Sequence, residues 1–141
     1  MQIQRWQSVW LLCATVLMVI FCFSPMFLIP GIGQTDGRYL NPADMPVFLT
    51  VTGVIALLLF LAIFLYRNTR RQKTVTIVSM VLIAACCVTE GCIYFGWGST
   101  ESKLEWQGSV FLLLGALLFA LMAYRGITHD EKLLKAADRL R

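Results

Sequence analysis

The chain has 141 residues, 58% of them hydrophobic and 14% charged, with a formal net charge of +4. Soluble domains carry about 25% charged residues, and a chain this short cannot hide so much apolar surface in one water-facing core. A soluble domain is excluded, and so is nucleic-acid binding, because no basic tract with interleaved aromatics occurs.

Four apolar segments follow one another, at about 6–28, 46–66, 74–95 and 106–124. Each is long enough as a helix to cross a hydrocarbon core of about 30 Å. The first has a basic residue near its start, but its apolar run exceeds that of a signal peptide, and "FSPMFLIPG" is no small-x-small cleavage site. It reads as a retained span.

The connection "IPGIGQTDGRYLNPADM" is rich in turn formers, "RNTRRQK" reads as a tight basic turn, and "GWGSTESKLE" as a polar turn opened by glycines. Short connections force neighbouring helices to lie antiparallel. The expected fold is thus an all-α integral membrane protein, an antiparallel bundle of four transmembrane helices over residues 1–127.

Ten of the twelve basic residues fall at the start, in the middle turn and in the tail, on one side of such a bundle. Arg38 and Lys103 alone lie in the opposite loops, beside Asp36, Asp44, Glu101 and Glu105. This asymmetry predicts both termini in the cytoplasm and an attraction to anionic lipid headgroups. Trp6, Trp10, Tyr66, Trp97, Trp106 and Tyr124 fall near span ends, where amphipathic rings anchor at the headgroup level.

The five cysteines, Cys13, Cys22, Cys86, Cys87 and Cys92, show neither CxxC nor metal-ligand spacing. They read as small apolar packing residues. Ala84, Cys87 and Gly91 on the third helix, and Ala116 and Ala120 on the fourth, are candidates for close helix approach. No metal site or cofactor is called for.

Glu90 is the one acid inside a candidate span. With the third span centred near Ala85, it lies about 7.5 Å outward of the midplane. Ser24, Thr50, Thr52, Ser109 and Tyr94 fall near the same depth, so these six predict one polar layer. Three roles compete for Glu90: a structural hydrogen-bonding group, a wet binding pocket or ion path, and a catalytic acid, which lacks an accompanying nucleophile, histidine or metal set.

The tail, residues 128–141, has its own pattern. Thr128 with Glu131 three residues later forms a capping box, Leu133, Leu134, Ala137 and Leu140 form an apolar stripe, and Glu131 pairs with Lys135 at i,i+4. A separate short amphipathic helix on the cytoplasmic face is expected. His129 reads as a solvated histidine.

The two ends carry a resemblance. Ile3, Gln4, Arg5, Trp6, Gln7 and Ser8 at the start, with Asp130 to Leu133 and Asp138 to Arg141 at the close, resemble the ends of a family of short four-span bacterial proteins from Bacteroidota, the domain of unknown function 4293. The resemblance implies an inner-membrane protein with no assigned activity, and it transfers no catalytic residues. It directs attention to the cytoplasmic ends. Gln4, Arg5 and Gln7 offer donors there, while Asp130, Glu131 and Asp138 offer acceptors beside Arg139. The tail helix is expected either to fold under the bundle onto the start of the first span or to form, with it, a docking face for a partner.

The reading that follows is a non-enzymatic accessory or interaction protein whose partners are the bilayer and either another protein or further copies of itself. The alternative is a small transporter or channel component using Glu90. A membrane thiol enzyme is weakened by the absent CxxC.

Overall fold

The computed structural model describes residues 2–30, 37–97 and 105–139. It is mostly helical, with α1 Gln2–Phe23, α2 Pro46–Phe64, α3 Thr69–Trp97 and α4 Val110–Arg139. All four helices are long and apolar enough to cross a membrane. Each packs on its neighbours in chain order, and α4 closes against α1. The arrangement is consistent with a helical bundle.

One spacing explains how the helices meet. The buried residues of α1 are Gln7, Leu11, Ala14, Met18 and Phe21, with Thr15 and Cys22 alongside. In α2 they are Phe48, Thr52, Ile55, Leu59 and Ala62. In α3 they are Gln72, Thr76, Ser79, Ile83, Cys86 and Glu90, and along α4 they are Ser109, Leu113, Ala116, Ala120, Ala123, Ile127 and Asp130. The steps alternate between four and three throughout. That 3.5-residue period keeps a seam facing its neighbour and imposes a left-handed supercoil. The opposite faces expose large apolar side chains, including Val16 and Ile20 on α1 and Leu57 and Phe60 on α2. Lipid chains suit such faces.

Small residues set the closest approaches. A Cβ on Gly126 would lie 2.8 Å from Gln7 Cγ, and one on Gly115 would lie 3.1 Å from Leu17 Cδ1. Both contacts join α4 to α1, and Trp10 stacks on Phe119 between them, with ring centroids 5.5 Å apart. Buried Ala116 and Ala120 fit the expected close-approach pair. Ala84 is exposed, and nothing comes within 4 Å of a Cβ on Gly91. The packing face of α3 is instead the Gln72-to-Glu90 seam. Trp10, expected near a span end, packs between helices on Phe119.

Three expectations are corrected. The fold is not all-α: strands β1 Phe27–Ile29, β2 Arg38–Leu40 and β3 Glu105–Trp106 form an antiparallel sheet in the order β2-β1-β3. The first helix ends at Phe23 rather than running to 28, because Pro25 has no amide hydrogen and disfavours helical geometry in the residue before it. The β-favouring Phe27, Leu28 and Ile29 then pair across the chain. Nor is the tail a separate helix. Thr128 donates to the Tyr124 carbonyl at 2.9 Å instead of capping a new start, so α4 continues unbroken through it.

The basic turn is shorter than expected as well. A 3₁₀ turn, Leu65–Arg67, leads to Asn68, whose Oδ1 accepts from the Arg71 amide at 3.4 Å. Asn is a favoured N-cap. Arg70, Arg71 and Lys73 therefore sit in the first turns of α3.

Candidate functional site

Two buried polar pairs occupy opposite ends of the helices. At the end bearing the sheet, Ser109 Oγ donates to Glu90 Oε1. Glu90 enters there because it is the last position of the α3 seam, and Ser109 because it immediately precedes α4. Glu90 is 2% exposed. Its second oxygen, Oε2, is buried with no hydrogen-bond partner among the described residues. A buried unsatisfied carboxylate oxygen is costly.

The sheet builds a wall beside this carboxyl. Phe27 pairs directly with Trp106 across β1 and β3, so both side chains fall on one face. Tyr94, one turn beyond Glu90, stacks on Phe27 with centroids 6.3 Å apart and planes 19° from parallel. Trp106 lies beside the Glu90 carboxyl and tilts against Phe111, 5.4 Å away. Phe27, Cys87, Glu90, Gly91, Tyr94, Trp106 and Val110 enclose a cleft of about 280 Å³.

The six residues expected at this depth do not join in one hydrogen-bonded cluster. Only Glu90, Ser109 and Tyr94 gather here. Thr52 Oγ1 lies 3.4 Å from Cys22 Sγ, between α1 and α2, and bonds the Phe48 carbonyl at 3.0 Å. Ser24 donates to Ile20 O and Thr50 to Val47 O, each at 2.8 Å. Hydroxyls on helices readily satisfy themselves on the preceding turn, which leaves them no reason to converge. The same holds for the buried hydroxyls deeper in the core: Thr15, Thr76 and Ser79 donate to Leu11, Gln72 and Val75 carbonyls.

Sequence reasoning missed Phe27 as a wall residue and gave Trp106 only an anchoring role. Their meeting depends on strand pairing between residues far apart in the chain. A local signal did exist for the Glu90 register, since 72, 76, 79, 83, 86 and 90 follow the alternating spacing.

At the other end, the Gln7 side-chain amide donates to Asp130 Oδ2. Both groups are buried, and Gly126 makes room for Gln7 one turn earlier on α4. Beside them Glu131 accepts from Lys73 at 3.1 Å and from Lys135 at 2.8 Å. Lys73 also stands 5.7 Å from the centre of the Tyr124 ring. This charged end of α4 lies beyond its apolar stretch. There Lys135 and Lys73 hold the Glu131 carboxyl down to about 2. Gln4 and Arg5 lie in the first turns of α1, and Asp138 and Arg139 in the last turn of α4. Their side chains, with Leu140 of the expected stripe, lie outside the described set.

Among the described residues no group of three His, Cys, Asp or Glu side chains gathers as metal ligands. The five cysteines are free thiols, Cys22 and Cys86 buried.

Four apolar, membrane-length helices with buried polar pairs at their ends define a multi-pass membrane protein. The model of the family described as Domain of unknown function (DUF4293) matches residues 3–140. The chain belongs to that family. No curated protein and no solved structure matches it.

Proposed function

We propose that this is a non-enzymatic accessory protein of the bacterial inner membrane that acts by contact through the projecting end of α4. In this reading the four helices form an antiparallel transmembrane bundle with both termini in the cytoplasm. The sheet and the Glu90 cleft then face outward.

The observation that carries the reading is the exposure of α4 beyond Glu131. Residues 132–137 are all exposed, and Leu133 and Leu134 are 50% and 56% accessible. Past the Lys73–Glu131 bridge α4 runs on for about 12 Å, while α3 reaches only about 6 Å beyond it. The helix therefore offers two exposed leucines between Lys132 and Lys135 that none of the described residues covers. Such a stripe fits a partner protein or the interfacial region of the bilayer.

The basic residues support the orientation. Arg70, Arg71 and Lys73 crowd the N-terminal end of α3, where the helix dipole disfavours cations by about 0.3–1 kcal/mol each. Their placement gains its reason from anionic headgroups and the positive-inside rule.

Transport is the weaker reading. Ile55, Leu59, Ile83, Leu113, Ala116 and Ala120 fill the core between the two polar ends, and the nearby hydroxyls are bonded to their own helices. The test is affinity purification from native membranes in a mild detergent, comparing the full chain with a Leu133→Glu/Leu134→Glu variant. A stoichiometric partner that the variant loses is expected. Recovery of the chain alone, or of the same partner with the variant, contradicts docking through α4.

A further inference from the structure

The Glu90 cleft is independent of the docking end and has a chemistry of its own. It holds one buried carboxyl whose Oε2 has no well-formed hydrogen bond among the described residues, with the Trp106 indole N–H the donor beside the carboxyl. Among the described residues no lysine, arginine or histidine lines it, so none of them brings a cation to the carboxylate. Its other walls are aromatic or apolar, from Phe27, Tyr94, Trp106 and Val110.

Each feature narrows the ligand. An anion would meet the carboxylate. Among the described residues a metal ion would find a single carboxylate and no group of three acidic, histidine or thiol ligands. A sugar would find too few polar partners among these walls. A protonated amine fits all of them: its N–H donates to Oε2, its positive charge is attracted to aromatic faces, and its apolar tail can lie in the bilayer. The volume, about 280 Å³, is at the small end for ligand pockets. It suits a head group, not a whole amphiphile. The exposure of Tyr94 and Trp106, 41% and 44%, leaves the rim open between α3, α4 and the sheet.

We propose that this cleft binds the ammonium group of a lipophilic amine, with Glu90 as counter-charge and Phe27, Tyr94 and Trp106 as the aromatic wall. The ammonium is carried either by an aminophospholipid head group or by a free long-chain amine. Ser109 is a positioning residue: its hydroxyl occupies Oε1 and leaves Oε2 for the ligand.

The probe is dodecylamine, added to the purified full-length protein in an uncharged detergent, with dodecanol at the same mole fraction as the neutral control. Thermal stability is read against concentration. Saturable stabilisation by dodecylamine alone is expected. Glu90→Gln weakens it about thirtyfold or more, the consequence of losing a buried charge partner. Tyr94→Leu removes one aromatic face at a half-exposed position and weakens binding about three- to fivefold. Equal stabilisation by dodecanol overturns the proposal, as does unchanged affinity in Glu90→Gln. Should Glu90→Gln fail to fold, unchanged affinity in Tyr94→Leu overturns it. Native mass spectrometry of protein taken directly from membranes separates the sources. A retained aminophospholipid displaced by dodecylamine assigns the head group; saturable amine binding with no retained lipid assigns a free amine.

Discussion

Gln7 on the second turn of α1 donates its side-chain amide to Asp130 near the end of α4, joining residues 123 apart in sequence. Both are buried seam positions. The pair fixes the register in which the last helix closes on the first. A carboxylate at such a depth is tolerable because its partner is supplied.

The pair should behave as a coupled unit. Gln7→Leu strands Asp130 and is expected to destabilise by about 1–3 kcal/mol, the cost of an unsatisfied buried group. The double variant Gln7→Leu/Asp130→Leu removes both partners and should recover most of that loss. Reversible unfolding in mixed micelles, arranged as a double-mutant cycle, measures the coupling. Additive losses would mean that the two side chains act separately.

Gly126 and Gly53 make a matched contrast. Alanine in place of a helical glycine gains up to about 1 kcal/mol from propensity alone. At Gly53 nothing lies within 4 Å of the added methyl, so Gly53→Ala should be neutral or stabilising. At Gly126 the methyl meets Gln7 Cγ at 2.8 Å. Overpacking costs about 1–3 kcal/mol, which outweighs the gain and pushes Gln7 away from Asp130. Thermal unfolding of the two variants should therefore shift in opposite directions.

The charged end has a pH signature. Glu131 is held from 4.5 down to about 2 by Lys135 and Lys73. A carboxyl depressed in the folded state contributes stability that is present above its ordinary range and is lost as pH falls through about 2. Carbon-13 titration of Glu131 should give a midpoint well below 4.5 at low salt, rising as salt screens the partly exposed pairs. In Lys73→Gln/Lys135→Gln the midpoint returns toward the ordinary range. A midpoint near 4.5 in the unaltered protein would dissolve the cluster.

Orientation can be read in whole cells. In a cysteine-free background, a membrane-impermeant maleimide should label Tyr39→Cys and spare Arg70→Cys until the cells are permeabilised. Both positions are exposed at opposite ends of the helices. The reverse pattern would invert the topology.

The features legible in the sequence are those written locally. Apolar runs of spanning length show four helices, because the length of a run is a property of one segment. The donors and acceptors at the two ends were visible by type, and Gln7 and Asp130 do meet. Features that depend on distant partners were not legible. The Phe27–Trp106 pairing joins strands that neither segment specifies alone, so the sheet and the aromatic wall were unforeseen. Helical hydroxyls that look available, such as Thr50 and Ser24, bond their own carbonyls. The tail's capping signal at Thr128 lost to helix continuation, since the preceding segment is already helical and an unbroken helix leaves no amide to cap.

The central claim, action by contact through the end of α4, is tested most directly by photo-crosslinking in intact membranes. A photoreactive side chain is placed at Leu134, with Val81 on the apolar outer face of α3 as the lipid-facing control. The account predicts one discrete protein adduct from position 134, absent from position 81 and lost when Leu133 is replaced by glutamate. Crosslinks from position 134 to lipid alone would contradict it.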